Sequence, residues 1–180
     1  MDLRSLKEKD SAPMLEWMHD EEVVEHLHAN FKDKTKEDAL DFILNSKKDT
    51  DIFLKQADKS APDFSGLKNL NFAIADEDDE YLGTVSLKNI NLKRKDAEFA
   101  ISIRKCAMGK GISKEAMKKI IKLGFEKLNL KCIYWYVDFS NKRAIRFYDK
   151  NCYNRDDEIG LKADVVENPT QYLWYSIKNS

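Results

Sequence analysis

The sequence predicts an α/β domain closed by a mixed sheet, on three observations. Ala97, Phe99, Ile101 and Ile103 alternate with Glu98, Ala100 and Ser102, the two-residue period of a strand. Gly109 and Gly111 then allow a sharp turn directly into a helix. That helix sets Met117, Ile120, Ile121, Gly124, Phe125 and Leu128 on one face and Lys114, Lys118 and Lys122 on the other. The run KCIYWYVD supplies a second strand, and a short helix follows from Asn141. A strand, a helix and a strand in this order form a βαβ crossover.

The remaining elements follow in chain order. Residues 3–6 read as a short edge strand. Asp10 or Ser11 caps a helix that tolerates Pro13 in its first turn. Leu15, Trp17, Met18, Val23, Val24 and Leu27 give apolar surface to one helix, or to two broken near His19 and Asp20. Thr35 and Asp38 form a capping-box-like start, opening a helix whose Ala39, Phe42 and Ile43 face inward. Residues 51–57 and 70–75 read as strands, or one interrupted strand, around a loop marked by Pro62 and Gly66. The acidic run 76–80 reads as a solvated hairpin tip, with an acidic rim for a cationic amine as the sharper alternative. Residues 81–90 alternate as a strand in which Gly83 suggests a bulge. A basic turn at 93–95 leads into the strand through Phe99, and residues 172–177 form the last strand after a polar, irregular stretch.

Composition narrows the function classes. At 180 residues the chain is expected to form a single domain, residues 1–180, with a proper core. Charged residues make up 35% but cancel to a net charge of −1, which argues against a nucleic-acid partner held by bulk electrostatics. No apolar run has transmembrane length and the N-terminus lacks a secretory h-region, so no membrane partner and a cytoplasmic location are expected. Cys106, Cys132 and Cys152 have no metal-ligand spacing, and no zinc motif occurs, so no metal is expected. Reduced thiols are the reading for all three, with a reactive Cys106 conceivable beside the glycine turn.

That turn carries the chemistry. Uncovered N–H groups and the helix dipole make it an anion site, with Lys110 and Lys114 adding positive charge. Beyond it lie Asn141, Ala144 and Tyr148, spaced N-x-x-A-x-x-x-Y. Together the loop at 108–113 and this helix resemble the GNAT superfamily of acyl-CoA-dependent N-acyltransferases. The family loop is (Gln/Arg)-x-x-Gly-x-(Gly/Ala); here Met108 and Ser113 depart from it at either end, while Gly111 is kept. The resemblance covers residues 70–155 well and the N-terminal third loosely.

The resemblance implies a GNAT-like mixed, mostly antiparallel sheet of about seven strands flanked by about four helices. It implies acetyl-CoA as cosubstrate, its pantetheine arm beside Ile101, Ser102 and Ile103 and its pyrophosphate on Met108, Gly109, Lys110, Gly111, Ile112 and Ser113. Asn141 would contact the pantetheine, Arg146 (with Arg143) the phosphates, and Tyr148 would protonate the departing thiolate. Glu98 is expected as general base, directly or through a water, burial raising its pKa toward the working range, with a water chain or a residue such as Glu25 or His26 as the alternative. Glu25, His26, His28 and Phe31 are expected to wall the acceptor pocket. The partner implied is a small-molecule amine or a peptide N-terminus, with a homodimer left open. A silent acyl-CoA-binding or protein-interaction module with the same fold is the alternative.

Overall fold

The computed structural model describes residues 1–27, 29–159 and 165–179. Seven strands form one sheet: β1 (Asp2–Ser5), β2 (Leu70–Ala75), β3 (Tyr81–Asn91), β4 (Asp96–Ile103), β5 (Cys132–Asp138), β6 (Asn154–Arg155) and β7 (Tyr172–Lys178). Their order is β1-β2-β3-β4-β5-β7-β6. Neighbours are antiparallel except β4 and β5, which are parallel because helix α4 (Ile112–Lys127) carries the chain back between them. The parallel ladder is short. Its rungs are Asp96 with Cys132, Ala97 with Ile133, and Glu98 with Tyr134. Past Glu98, β4 continues to Ile103 against β3 alone and β5 continues to Asp138 against β7 alone, so the two strands part in a wedge.

The two faces of the sheet differ in chemistry. On one, Phe72, Val85, Leu87, Phe99, Ile133 and Trp135 pack with Met117, Ile120 and Ile121 of α4 in the main core. The other face buries polar side chains: Asn71, Thr84, Ser86, Glu98 and Ser176. A roof of α1 (Ser11–Met18), α2 (Glu21–Val24) and the start of α3 (Lys36–Gln56) covers part of this second face. Its cluster joins Leu6, Met14, Trp17, Ala39 and Ile43 to Ala73 and Tyr81. A third, smaller cluster holds Tyr134 and Trp174, with Tyr136, Val165 and Tyr172 packed on them.

Local chemistry sets the element ends largely as expected. Thr35 Oγ1 accepts the Asp38 N–H at 3.2 Å while Asp38 Oδ2 accepts the Thr35 N–H at 2.8 Å, closing the capping box of α3. His19 ends the first helix and Asp20 caps the second, accepting from the Glu22 N–H at 3.0 Å. Asp10 stands at the start of α1, but its carboxylate serves Arg4, at 2.7 and 2.9 Å, and the Lys7 N–H at 2.8 Å. The acidic run at 76–80 is the hairpin tip between β2 and β3.

Two expectations are corrected. Residues 51–57 are not a strand, because α3 continues through them to Gln56. Its buried positions, Ala39, Ile43, Ser46, Thr50 and Phe53, keep helical spacing, and two of them are polar. Those two are satisfied by β2: Thr50 Oγ1 donates to the Asn71 carbonyl at 3.1 Å and Asn71 Nδ2 donates to Ser46 Oγ at 3.1 Å. Phe42 does not face inward either; it is 39% exposed, while Ala39 and Ile43 are buried.

Candidate active site

The wedge opens where the carboxyl ends of two parallel strands separate, the usual place for a ligand in an α/β sheet. Beside it the chain turns through Gly109 and Gly111, at φ 76° and 79°, conformations that a side chain would strain. The N–H groups of Gly109, Lys110, Gly111, Ile112 and Ser113 find no acceptor among the described residues. They stand at the head of the 16-residue helix α4, whose dipole adds partial positive charge. The arrangement fits a phosphate or pyrophosphate. Met108, at the position of the family's polar residue, packs its side chain onto the main core instead. The cradle is thus made by backbone groups, which the substitution leaves in place.

On the far side of the wedge, β5 ends and helix α5 (Lys142–Lys150) begins. Asn141 is its cap, its side-chain oxygen accepting the Ala144 N–H at 3.0 Å. One turn on, Arg146 lines an open groove with Lys142, Arg143, Phe147 and Lys150. Tyr148 turns inward, 7% exposed, with its ring 5.3 Å from that of Trp135 and 5.2 Å from that of Tyr175. Among the described residues its hydroxyl has no hydrogen-bond partner. Burial, with smaller contributions from Tyr153 and Tyr175, pushes its pKa well above the ordinary phenol value of 10.0. The group is therefore a neutral donor at any physiological pH.

A scan against protein families matches the acetyltransferase (GNAT) domain over residues 1–152. The chain belongs to this family. Among curated proteins it is 38% identical to a spermidine N(1)-acetyltransferase of Escherichia coli over 82 residues, 46% of this chain and 44% of the relative. The matched stretch thus spans less than half the length of that relative. Among solved structures, a spermidine N-acetyltransferase from Vibrio cholerae in complex with CoA and spermine superposes with a TM-score of 0.72 at 18% identity, covering 98% of this chain and 94% of that one. A GNAT-family acetyltransferase from Bacillus anthracis gives 0.69 at 16%, covering 98% and 93%. At these identities the structures establish the fold.

Glu98 lies on the polar face at the last rung of the wedge, 4% exposed. It is buried as expected but it is not isolated. Lys88 Nζ reaches Oε1 at 3.1 Å and Asn89 Nδ2 donates to Oε2 at 2.7 Å. An irregularity between Lys88 and Asn91 in the β3–β4 ladder, with Asn89 at φ 50°, brings both donors to that point. The sequence alone carries no signal for this pairing.

Two of the expected acceptor residues, Glu25 and His26, come within 3.8 Å of each other. Phe31 packs in the roof, its ring 5.2 Å from that of Trp17. Glu25 is exposed at the end of α2. His28 lies outside the described residues. His26 reaches across to the wedge, with Nδ1 3.0 Å from Ser140 Oγ in the turn between β5 and α5. The hairpin tip at 76–80 is engaged internally as well: Asp79 holds Arg4, Lys7 and Lys9, and Glu80 holds Arg104. Among the described residues no three His, Cys, Asp or Glu side chains converge as metal ligands, and no helix is long and apolar enough to cross a membrane.

Proposed function

We propose that this protein transfers the acetyl group of acetyl-CoA to a primary amine of a small molecule or a peptide N-terminus. The row of unpaired N–H groups from Gly109 to Ser113, at the head of α4 and beside the parted strands, carries the reading. Bound there, acetyl-CoA supplies the thioester. The backbone cradle, with Lys110 and Lys114, takes its pyrophosphate, and the free edge of β4 at Ile101, Ser102 and Ile103 takes the pantetheine amides. Arg143 and Arg146, exposed on α5, offer charge to the remaining phosphate. Tyr148 donates its proton to the thiolate as it leaves. The acceptor amine approaches from the polar face, where Glu98, Ser102 and the roof meet. Relatives that act on spermidine place polyamines first among acceptors to try.

The test is calorimetric titration with acetyl-CoA, followed by thiol release with polyamines, aminoglycosides, amino sugars and peptides bearing free N-termini. Saturable binding and release with one amine class is the expected outcome. Absence of acetyl-CoA binding would reject the reading.

A further inference from the structure

We infer that His26 is the general base of this site, held in its reactive form by Ser140 and Asp138. The inference rests on the acetyl-transfer reading and assigns it the proton acceptor. Ser140 Oγ lies 2.5 Å from Asp138 Oδ1 and donates its single hydroxyl proton there. The oxygen it presents to His26 is therefore an acceptor, and His26 Nδ1, 3.0 Å away, must carry the hydrogen. In neutral imidazole that leaves Nε2 with the free lone pair. The chain Asp138–Ser140–His26 orients the ring as the carboxylate of a catalytic triad does, with a hydroxyl inserted between. Glu25 Oε2, 3.8 Å from Nε2, stands where it stabilises the imidazolium formed.

Position supports the role. Asp138 ends β5, Ser140 immediately precedes the Asn141 cap, and His26 comes from the roof, so the contact spans the mouth of the wedge on the acceptor side. The His26 side chain is 25% exposed, open enough to meet a substrate. Glu98 is engaged on both carboxylate oxygens by Lys88 and Asn89, whereas Nε2 is a basic atom with no hydrogen bond among the described residues. In the reaction, R–NH3+ gives one proton to Nε2. The free amine forms the N–C bond while the C–S bond breaks, and the thiolate takes the Tyr148 proton. The second amine proton then restores the phenol, and the imidazolium releases the one proton of the net reaction to solvent.

Two measurements test this. Long-range 1H–15N NMR of the three histidines, assigned through single His→Gln variants, reads the tautomer directly. The expected result is a Nδ1-protonated His26 that loses this preference in Ser140→Ala; a Nε2-protonated ring would overturn the relay. Kinetics with acetyl-CoA and spermidine, or whichever panel amine turns over fastest, should show kcat falling roughly 100-fold in His26→Gln and about tenfold in Ser140→Ala, with acetyl-CoA affinity unchanged. The rise of rate with pH should survive in Glu98→Gln and vanish in His26→Gln. The converse pattern would return the role to Glu98. A wild-type protein that releases no thiol with any amine would remove the acetyl-transfer reading and this base together.

Discussion

Tyr148 sits among rings that cannot take its proton, and its burial favours the neutral phenol. Because the folded-state pKa is raised, the phenol stays protonated well beyond the pH at which an exposed tyrosine ionises, so it remains able to donate. Tyr148→Phe should lower kcat by roughly 100-fold while calorimetric affinity for acetyl-CoA stays within a factor of two or so. Unchanged turnover would show that the thiolate leaves unaided. The same shift has a stability consequence. Above about pH 10 the unfolded tyrosine releases its proton first, so wild-type stability should fall faster with alkalinity than that of Tyr148→Phe. Tyr148, Asn141 and the two glycines were legible in the sequence because their spacing is local. His26 and Ser140 are separated by 114 positions, and Lys88 meets Glu98 only through an irregular ladder, so neither pairing leaves a local trace.

The helix α3 shows how an element can be misread. Ile52, Phe53 and Leu54 suggest an apolar strand, yet Ile52 and Leu54 are 46% and 45% exposed and only Phe53 is buried. The true stripe runs through Ser46 and Thr50, whose hydrogen bonds to Asn71 make burial affordable but hide the period from a hydrophobicity reading. β3 was legible, including the special position of Gly83. The rung from Ala75 to Tyr81 follows that from Ile74 to Gly83, so Leu82 is the extra residue of a bulge beside it. A Cβ on Gly83 would lie 2.3 Å from the Ser102 carbonyl oxygen, a backbone atom of β4. Relief requires β3 and β4 to part at the stretch assigned to pantetheine. Gly83→Ala should cost about 3 kcal/mol, lowering Tm by roughly 6–12 °C, and should weaken acetyl-CoA binding in calorimetry. A variant with wild-type Tm and affinity would show that the strands yield freely.

Across the whole molecule, charge ties distant segments together. Asp79, at the tip of the β2–β3 hairpin, holds Lys7 and Lys9 at 2.7 Å and also Arg4, joining the hairpin to the start of the chain. Hydrogen bonds from Lys7 and Lys9, then from Arg4, draw its pKa well below the ordinary 3.8. A depressed carboxylate stabilises the fold above its unfolded pKa and loses that contribution as pH falls. The Tm gap between wild type and Asp79→Asn should therefore be widest near neutrality and close as pH falls below about 4. Asparagine tolerates the φ of 61° at this position, so the comparison isolates the charge. A gap independent of pH would assign the effect to geometry.

The chain has three tryptophans, and the structure gives one to each hydrophobic cluster: Trp135 to the main core, Trp17 to the roof, and Trp174 to the tyrosine cluster on the polar face. All three are shielded from water, at 2%, 5% and 2% exposure. Native emission should accordingly be blue-shifted, and the pair of nearly parallel rings at Trp135 and Tyr175, 5.8 Å apart, should dominate the near-ultraviolet circular dichroism. Variants that keep a single indole then turn each cluster into a separate optical channel. Coincident melting in all three channels would mean that roof and sheet denature as one cooperative unit, whereas an early red shift from Trp17 alone would identify the roof as the part that opens first.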